Sequence, residues 1–325
     1  MIISEKVEKI VNKLLFILIF GLFSCIESPN EEIDDPEISE YINETFGFKT
    51  SEFDIQDLKY NRLPYTGYEL ISLDSSPADS SGIRLYEKFG NLYYHPVIMA
   101  EHTIRFLDCY IRTENEEYLK NALVYSDKLI EIGTESNGAI YFPYNFELIL
   151  HNIPSEVLSA PWYSGMAQGE ALSAFVRLYN VTNEKKYLPI IEKIFKGFTN
   201  FKKENNPWFV YVDEQEFYWI EEYPLNEATH VLNGFIYAIF GLYDYYQLNK
   251  DELSRTLIEA SLTTLVKYLT EYRDPGYKSF YCLKHKAQGE FYHQVHIIEL
   301  KKLSEISGYS YFKDMADLFY YDFHL

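Results

Sequence analysis

Four segments of this chain repeat one plan at a spacing of about 65 residues. EHTIRFLDCYIRTENEEYLKNAL at 101–123 compares with GEALSAFVRLYNVTNEKKYLPII at 169–191. NGFIYAIFGLYDYYQLNKDELSRTL at 233–257 compares with HQVHIIELKKLSEISGYSYFKDMA at 293–316. Each begins with apolar residues at helical spacing, crosses a polar turn and enters a second such run. Thr113-Glu114, Thr182-Asn183 and Asn249-Lys250-Asp251 supply turn and N-cap chemistry. A helix pair of this kind cannot bury its apolar face alone, so successive pairs must stack. The spacing predicts a mostly α fold, an incomplete α/α toroid of about four helical hairpins. Runs at 138–148, 208–224 and 276–285 alternate aromatic and polar residues, which predicts short β-hairpins between the repeats.

Residues 91–325 carry that toroid, and two other segments precede it. At 1–25, Lys6, Lys9 and Lys13 lead into an apolar run at 14–23, then Ser24-Cys25. That run is too short to span a bilayer and suits a signal peptide. Leu22-Phe23-Ser24-Cys25 resembles a bacterial lipobox, which implies lipidation at Cys25 and a membrane-anchored lipoprotein of the cell envelope, in the periplasm or at the cell surface. Residues 26–90 read as an acidic tether followed by a loop-and-strand lead-in, too short for a core of its own.

A net charge of −20 argues against nucleic acid as a partner and fits poorly with a densely sulfated polyanion. The 31 tyrosines suit a sugar-binding surface, since sugar C–H faces pack on rings and hydroxyls bond the phenol. Cys109 and Cys282 stand among apolar and aromatic neighbours, as unpaired buried thiols do. No CxxC or metal-spaced Cys/His cluster occurs in the sequence. His293 and His296 sit at i, i+3 with no third ligand close by, so no metal is expected.

Four clusters fall where a loop meets the first helix of each repeat. They are Tyr94-His95 with His102; Trp162 and Tyr163 through Gln168 to Glu170; Glu221-Glu222-Tyr223-Pro224 with Asn233-Gly234; and Tyr281 with Lys284-His285, leading to Tyr292, His293 and His296. Taken singly each has a structural reading. Glu222 serves a helix dipole behind Pro224, Gly165, Gly169 and Gly234 allow close helix approach, and a lone histidine packs in a core. Their shared position in the repeat points instead to one cleft.

YSGMAQGEALSAFVRLY, EEYP, VLNGFIYAIFGLYD, YCLKH and YHQVHI occur in that order between residues 163 and 297, within a resemblance that covers about residues 90–325. Together they resemble the C-terminal domain of the D-glucuronyl C5-epimerases. The resemblance implies an α/α toroid and an isomerase that converts D-glucuronate to L-iduronate within a glucuronate-containing polysaccharide, with no cofactor. That reaction removes a weakly acidic proton α to a carboxylate. It requires charge neutralisation, a base on one face of the ring and an acid on the other. The matching tyrosines are Tyr223, Tyr281 and Tyr292, and Tyr223 with either of the others is expected to flank the sugar. Lys284 takes the place of an arginine and is expected to neutralise the substrate carboxylate, without a bidentate fork. Cys282 takes the place of an aspartate. His285, His293 and His296 are expected to orient the carboxylate or a tyrosine. Glu222, Gln168, Asn233 and Tyr163 are expected to bind the sugar. Animal members carry a β-rich domain that helps build a dimer, and only a remnant fits at 26–90, so a homodimer stays open. A uronate polysaccharide lyase, a non-catalytic glycan-binding lipoprotein, and a glycosidase pairing Glu221 or Glu222 with Glu170 are the alternatives.

Overall fold

The computed structural model describes residues 38–204 and 206–324. The signal and lipidation reading at 1–25, Cys25 included, lies outside them. Among the described residues eight α-helices form four antiparallel pairs: α1 (Pro96–Thr113) with α2 (Glu116–Ile132), α3 (Gly165–Thr182) with α4 (Leu188–Lys196), α5 (Leu232–Asn249) with α6 (Glu252–Tyr268), and α7 (Glu290–Ser307) with α8 (Tyr311–Asp322). The first helix of every pair has 18 residues. Each of these ends on a residue in the left-handed region, Glu114, Asn183, Lys250 or Gly308, which turns the chain into its partner. Asn115 then caps α2 by accepting from the Glu117 amide at 3.0 Å, and Asp251 caps α6 from the Ser254 amide at 2.8 Å.

The first helices pack in chain order, α1 on α3, α3 on α5 and α5 on α7, as an inner row. The second helix of each pair lies behind its partner, so the row is the inner layer of an incomplete α/α toroid. Gly169 and Gly241 bring the α3 and α5 backbones together, because a Cβ on either would overlap the opposite main chain. Arg177 of α3 pairs with Asp244 of α5 at 2.8 Å in the buried interior, and a second guanidinium nitrogen donates to the Pro64 carbonyl at 2.8 Å. Residues ahead of α1 are held on the helices in the same way: Tyr243 donates to the Gln56 carbonyl at 2.8 Å, and Tyr60 to Asp108 at 2.8 Å.

Short antiparallel ribbons join the pairs at Thr134–Ser136 with Ala139–Tyr141 and at Val210–Val212 with Tyr218–Ile220. The hairpin expected over 276–285 does not form, and only isolated bridges occur there. Tyr281 divides its backbone bonds between two segments, donating to the Ala287 carbonyl and accepting from the Leu232 amide, so no ladder builds. A ribbon at Leu148–Ile149 with Val157–Leu158 has no counterpart in the sequence reading.

Candidate active site

Pro224 ends a run in which neighbouring carboxylates take different tasks. Glu221 is fully buried and closes its own loop, accepting from the Thr229 hydroxyl at 3.0 Å, the Thr229 amide at 3.1 Å and the His230 amide at 3.2 Å. Glu222 turns the other way, into a cavity of about 390 Å³ at the N-terminal ends of the inner helices. Gly234 in the first turn of α5 makes room for it, since a Cβ there would overlap the carboxylate.

Three phenols gather around Glu222. The Tyr281 hydroxyl donates to its two oxygens at 3.4 and 3.3 Å and lies 3.3 Å from the Tyr223 hydroxyl. The Tyr292 ring, from α7, packs on the Tyr281 ring with centroids 4.4 Å apart. Tyr223 and Tyr292 both line the 390 Å³ cavity and, with Tyr281, a neighbouring recess of about 250 Å³. Behind Tyr223 stands Trp162, stacked on Tyr144 at 3.9 Å and fixed by an indole hydrogen bond to the Phe146 carbonyl at 2.9 Å.

Burial sets the electrostatics. It pushes the Glu222 carboxyl up to about 7, against donation from Tyr223 and Tyr281, and the nearby Glu221 charge adds to the rise. Burial first and Glu222 second raise all three phenols, Tyr223 and Tyr281 well above the ordinary tyrosine range. Glu170, which lines the cavity, and the buried Glu299 of α7 are also driven well up, by burial and by neighbouring carboxylates. Arg105 of α1 is the permanent cation among the described lining residues; its Nη1 faces Glu101 at 3.6 Å and its Nε has no partner among the described residues. His95 lines the same space but burial lowers it to about 4, so it is neutral at physiological pH.

Residues 134–320 match the family described as D-glucuronyl C5-epimerase C-terminus. The chain belongs to this family. The match spans the second to fourth helix pairs, a narrower stretch than the 90–325 expected for the resemblance, and contains all five motif strings. A D-glucuronyl C5-epimerase of Caenorhabditis elegans is 33% identical over 183 residues, covering 50% of this chain and 29% of that one. An uncharacterized protein of Methanocaldococcus jannaschii is 26% identical over 205 residues, 60% of this chain and 64% of its own. The chain therefore spans less than two thirds of the length of either relative. Among solved structures, the cellobiose 2-epimerase of Bacillus thermoamylovorans superposes with a TM-score of 0.48 at 14% identity, over 70% of this chain and 58% of that one.

Within this member of the C5-epimerase family, the tyrosine cluster, Glu222 and Asn233 converge on the cavity, and other expected site residues do not. Lys284 ion-pairs with Glu156 at 2.5 Å and Glu227 at 3.0 Å in a separate groove of about 760 Å³, so its charge is already matched. Tyr163 lines that groove too, packed edge-on against Tyr141. Gln168 spends its amide on the Ile140 and Ile194 carbonyls at 2.7 and 2.8 Å, inside the core. His293 and His296 are buried with Ser279 between them, at 2.9 and 2.8 Å from its hydroxyl, and hold the 279 segment to α7. His285 faces Cys282 at 3.6 Å and Glu156 at 3.6 Å, beside rather than inside the cavity.

The sequence reading missed Arg105, Tyr144, His151 and Glu299. Glu101 and Arg105 at i, i+4, and Glu299 three residues after His296, carry a helical-face signal. His151 and Tyr144 lie outside the helices and carry no periodic one.

Proposed function

We propose that this protein epimerises D-glucuronate residues to L-iduronate within a polysaccharide, removing and returning the C5 proton. The observation that carries the proposal is the Tyr281 hydroxyl held between Tyr223 and the Glu222 carboxyl. Family membership supports it. The buried phenols are protonated at neutral pH. A phenol becomes a base here only by passing its own proton onward, and Glu222, poised near 7, is the acceptor within reach. The C5–H bond breaks as its proton moves to a phenolic oxygen; that phenol's proton shifts along Tyr223–Tyr281 to Glu222. The electron pair left at C5 spreads into the uronate carboxylate as an enediolate. Tyr223 and Tyr281, 3.3 Å apart, leave no room for a sugar ring between them and act together from one face. Tyr292, on α7, is the phenol left to protonate C5 from the other, which requires its ring to leave the Tyr281 ring it packs on at 4.4 Å. Arg105 meets the uronate carboxylate, and burial, which drives the Glu170 carboxyl toward its protonated form, limits the repulsion of an anion by the cavity.

The deciding experiment incubates the full chain with an unsulfated glucuronate polymer in deuterium oxide. Deuterium at C5 with chain length unchanged is expected. Ultraviolet absorption from an unsaturated uronate would identify a lyase, and binding without exchange a glycan-binding protein; either would overturn the assignment. We also propose that Cys25 carries a lipid that holds residues 26–325 at the cell envelope, with residues 26–90 as tether and lead-in. Cys25→Ala would then leave the membrane fraction, and an unchanged membrane fraction would refute the anchor.

A further inference from the structure

The loop before Val157 and the turn after Tyr281 meet at three potential metal ligands. The Cys282 Sγ lies 3.4 Å from the His151 Nε2 and 3.6 Å from the His285 Nδ1. The three donor atoms lie within 4.8 Å of one another. A tetrahedral zinc with a thiolate at about 2.3 Å and imidazoles at about 2.0–2.1 Å has sulfur–nitrogen edges of about 3.5 Å. Both observed separations match that edge. One thiolate and two imidazoles form a borderline-soft set that selects zinc-class ions over calcium or magnesium.

The surroundings add a second argument. Glu156 faces the other ring nitrogen of His285 at 3.6 Å, and Lys284 holds that carboxylate at 2.5 Å. At 3.6 Å this is an ion-pair distance and not a hydrogen bond, but it sets a carboxylate on the side to which a metal-bound imidazole characteristically directs its remaining N–H. The His285 Nε2 is buried and has no hydrogen-bond partner among the described residues. Cys282 is fully buried.

We propose that His151, Cys282 and His285 bind one divalent zinc-class ion beside the tyrosine cluster. Binding expels the thiol proton, forms one metal–sulfur and two metal–nitrogen bonds, and leaves a fourth position to water. The ion ties two segments 131 residues apart. One carries Tyr281, whose ring meets the His151 ring edge-on at 5.8 Å, so the site braces a wall of the recess. The proposal does not rest on the reaction assigned above, because it concerns occupancy and not turnover.

The test uses the full chain, purified without a histidine tag, stripped with a chelator and titrated anaerobically with cobalt chloride. A near-ultraviolet cobalt–thiolate band and intense tetrahedral visible bands saturating at one equivalent are expected, with about one proton released per cobalt. Zinc should displace both. Cys282→Ser should abolish the thiolate band. His151→Gln, at a half-buried position outside the α-helices, should weaken binding at least tenfold while circular dichroism stays unchanged. No thiolate band at millimolar cobalt, or a band that survives Cys282→Ser, would overturn the site. If Cys282→Ser fails to fold, the His151→Gln titration decides, and unchanged affinity there counts against the proposal.

Discussion

The Tyr223 hydroxyl lies 3.3 Å from the Tyr281 hydroxyl, and the second of these also reaches Glu222. Two phenols separated by 58 residues of chain thus share one carboxyl group. Proton movement within this trio, more than any single side chain, is what the following outcomes probe.

Tyr281→Phe keeps the ring packed on Tyr292 and deletes the bridging hydroxyl. Solvent exchange at C5 should fall by roughly 10²–10⁴-fold. Stability should change by about 1 kcal/mol. Deuterium incorporation and a denaturation midpoint measure the two. Exchange at the wild-type rate would remove Tyr281 from the proton path.

Glu222 is raised to about 7, so kcat/KM for exchange should climb with pH through a limb near 7 as the acceptor ionises. Glu222→Gln should abolish exchange and the limb with it. The stability effect has the opposite sense. Since folding raises this carboxyl above its ordinary value of 4.5, the folded state loses stability as pH climbs from about 4.5 to 7. Glu222→Gln should be near neutral below that window and stabilising above it, by at most about 3 kcal/mol. Thermal midpoints at pH 4 and pH 8.5 show the contrast.

Gly234→Ala places a methyl against the Glu222 carboxylate. The carboxylate must rotate away from Tyr281, or the first turn of α5 must shift. Overpacking of this kind costs about 1–3 kcal/mol, and exchange should drop at least tenfold. Wild-type kinetics in this variant would show that Glu222 works equally well from another rotamer.

Arg105→Gln removes the cavity's permanent cation and should raise KM for a glucuronate oligosaccharide about 10–100-fold, the worth of a charge-assisted hydrogen bond. Lys284→Ala, whose partners are Glu156 and Glu227, should leave KM within about threefold for a short substrate. The reverse ranking would return the carboxylate-binding role to Lys284.

Helical periodicity made the four pairs legible, because an inner helix must show a continuous apolar face and the turn after it needs a left-handed residue. Convergence of the junction clusters was legible from the repeat, whereas the choice of Tyr223, Tyr281 and Tyr292 among them came from the resemblance to the epimerase family. Direction was not legible. Lys284 stands three residues from Tyr281, yet the irregular turn between them sends it into another groove, toward Glu156. Gln168 lies on an inner helix, but its amide donates to the Ile140 carbonyl of a ribbon and the Ile194 carbonyl near a helix end. His151 reaches Cys282 only through tertiary folding of a loop with no repeat period.

The common 18-residue length of the inner helices works as a ruler. Inserting one residue into α5 would advance the helix by about 1.5 Å and rotate all that follows by about 100°. The segment carrying Tyr281 and α7 would swing out of register with Glu222. Length changes in the outer turns leave that register intact, so insertions should be tolerated there and purged from the inner row.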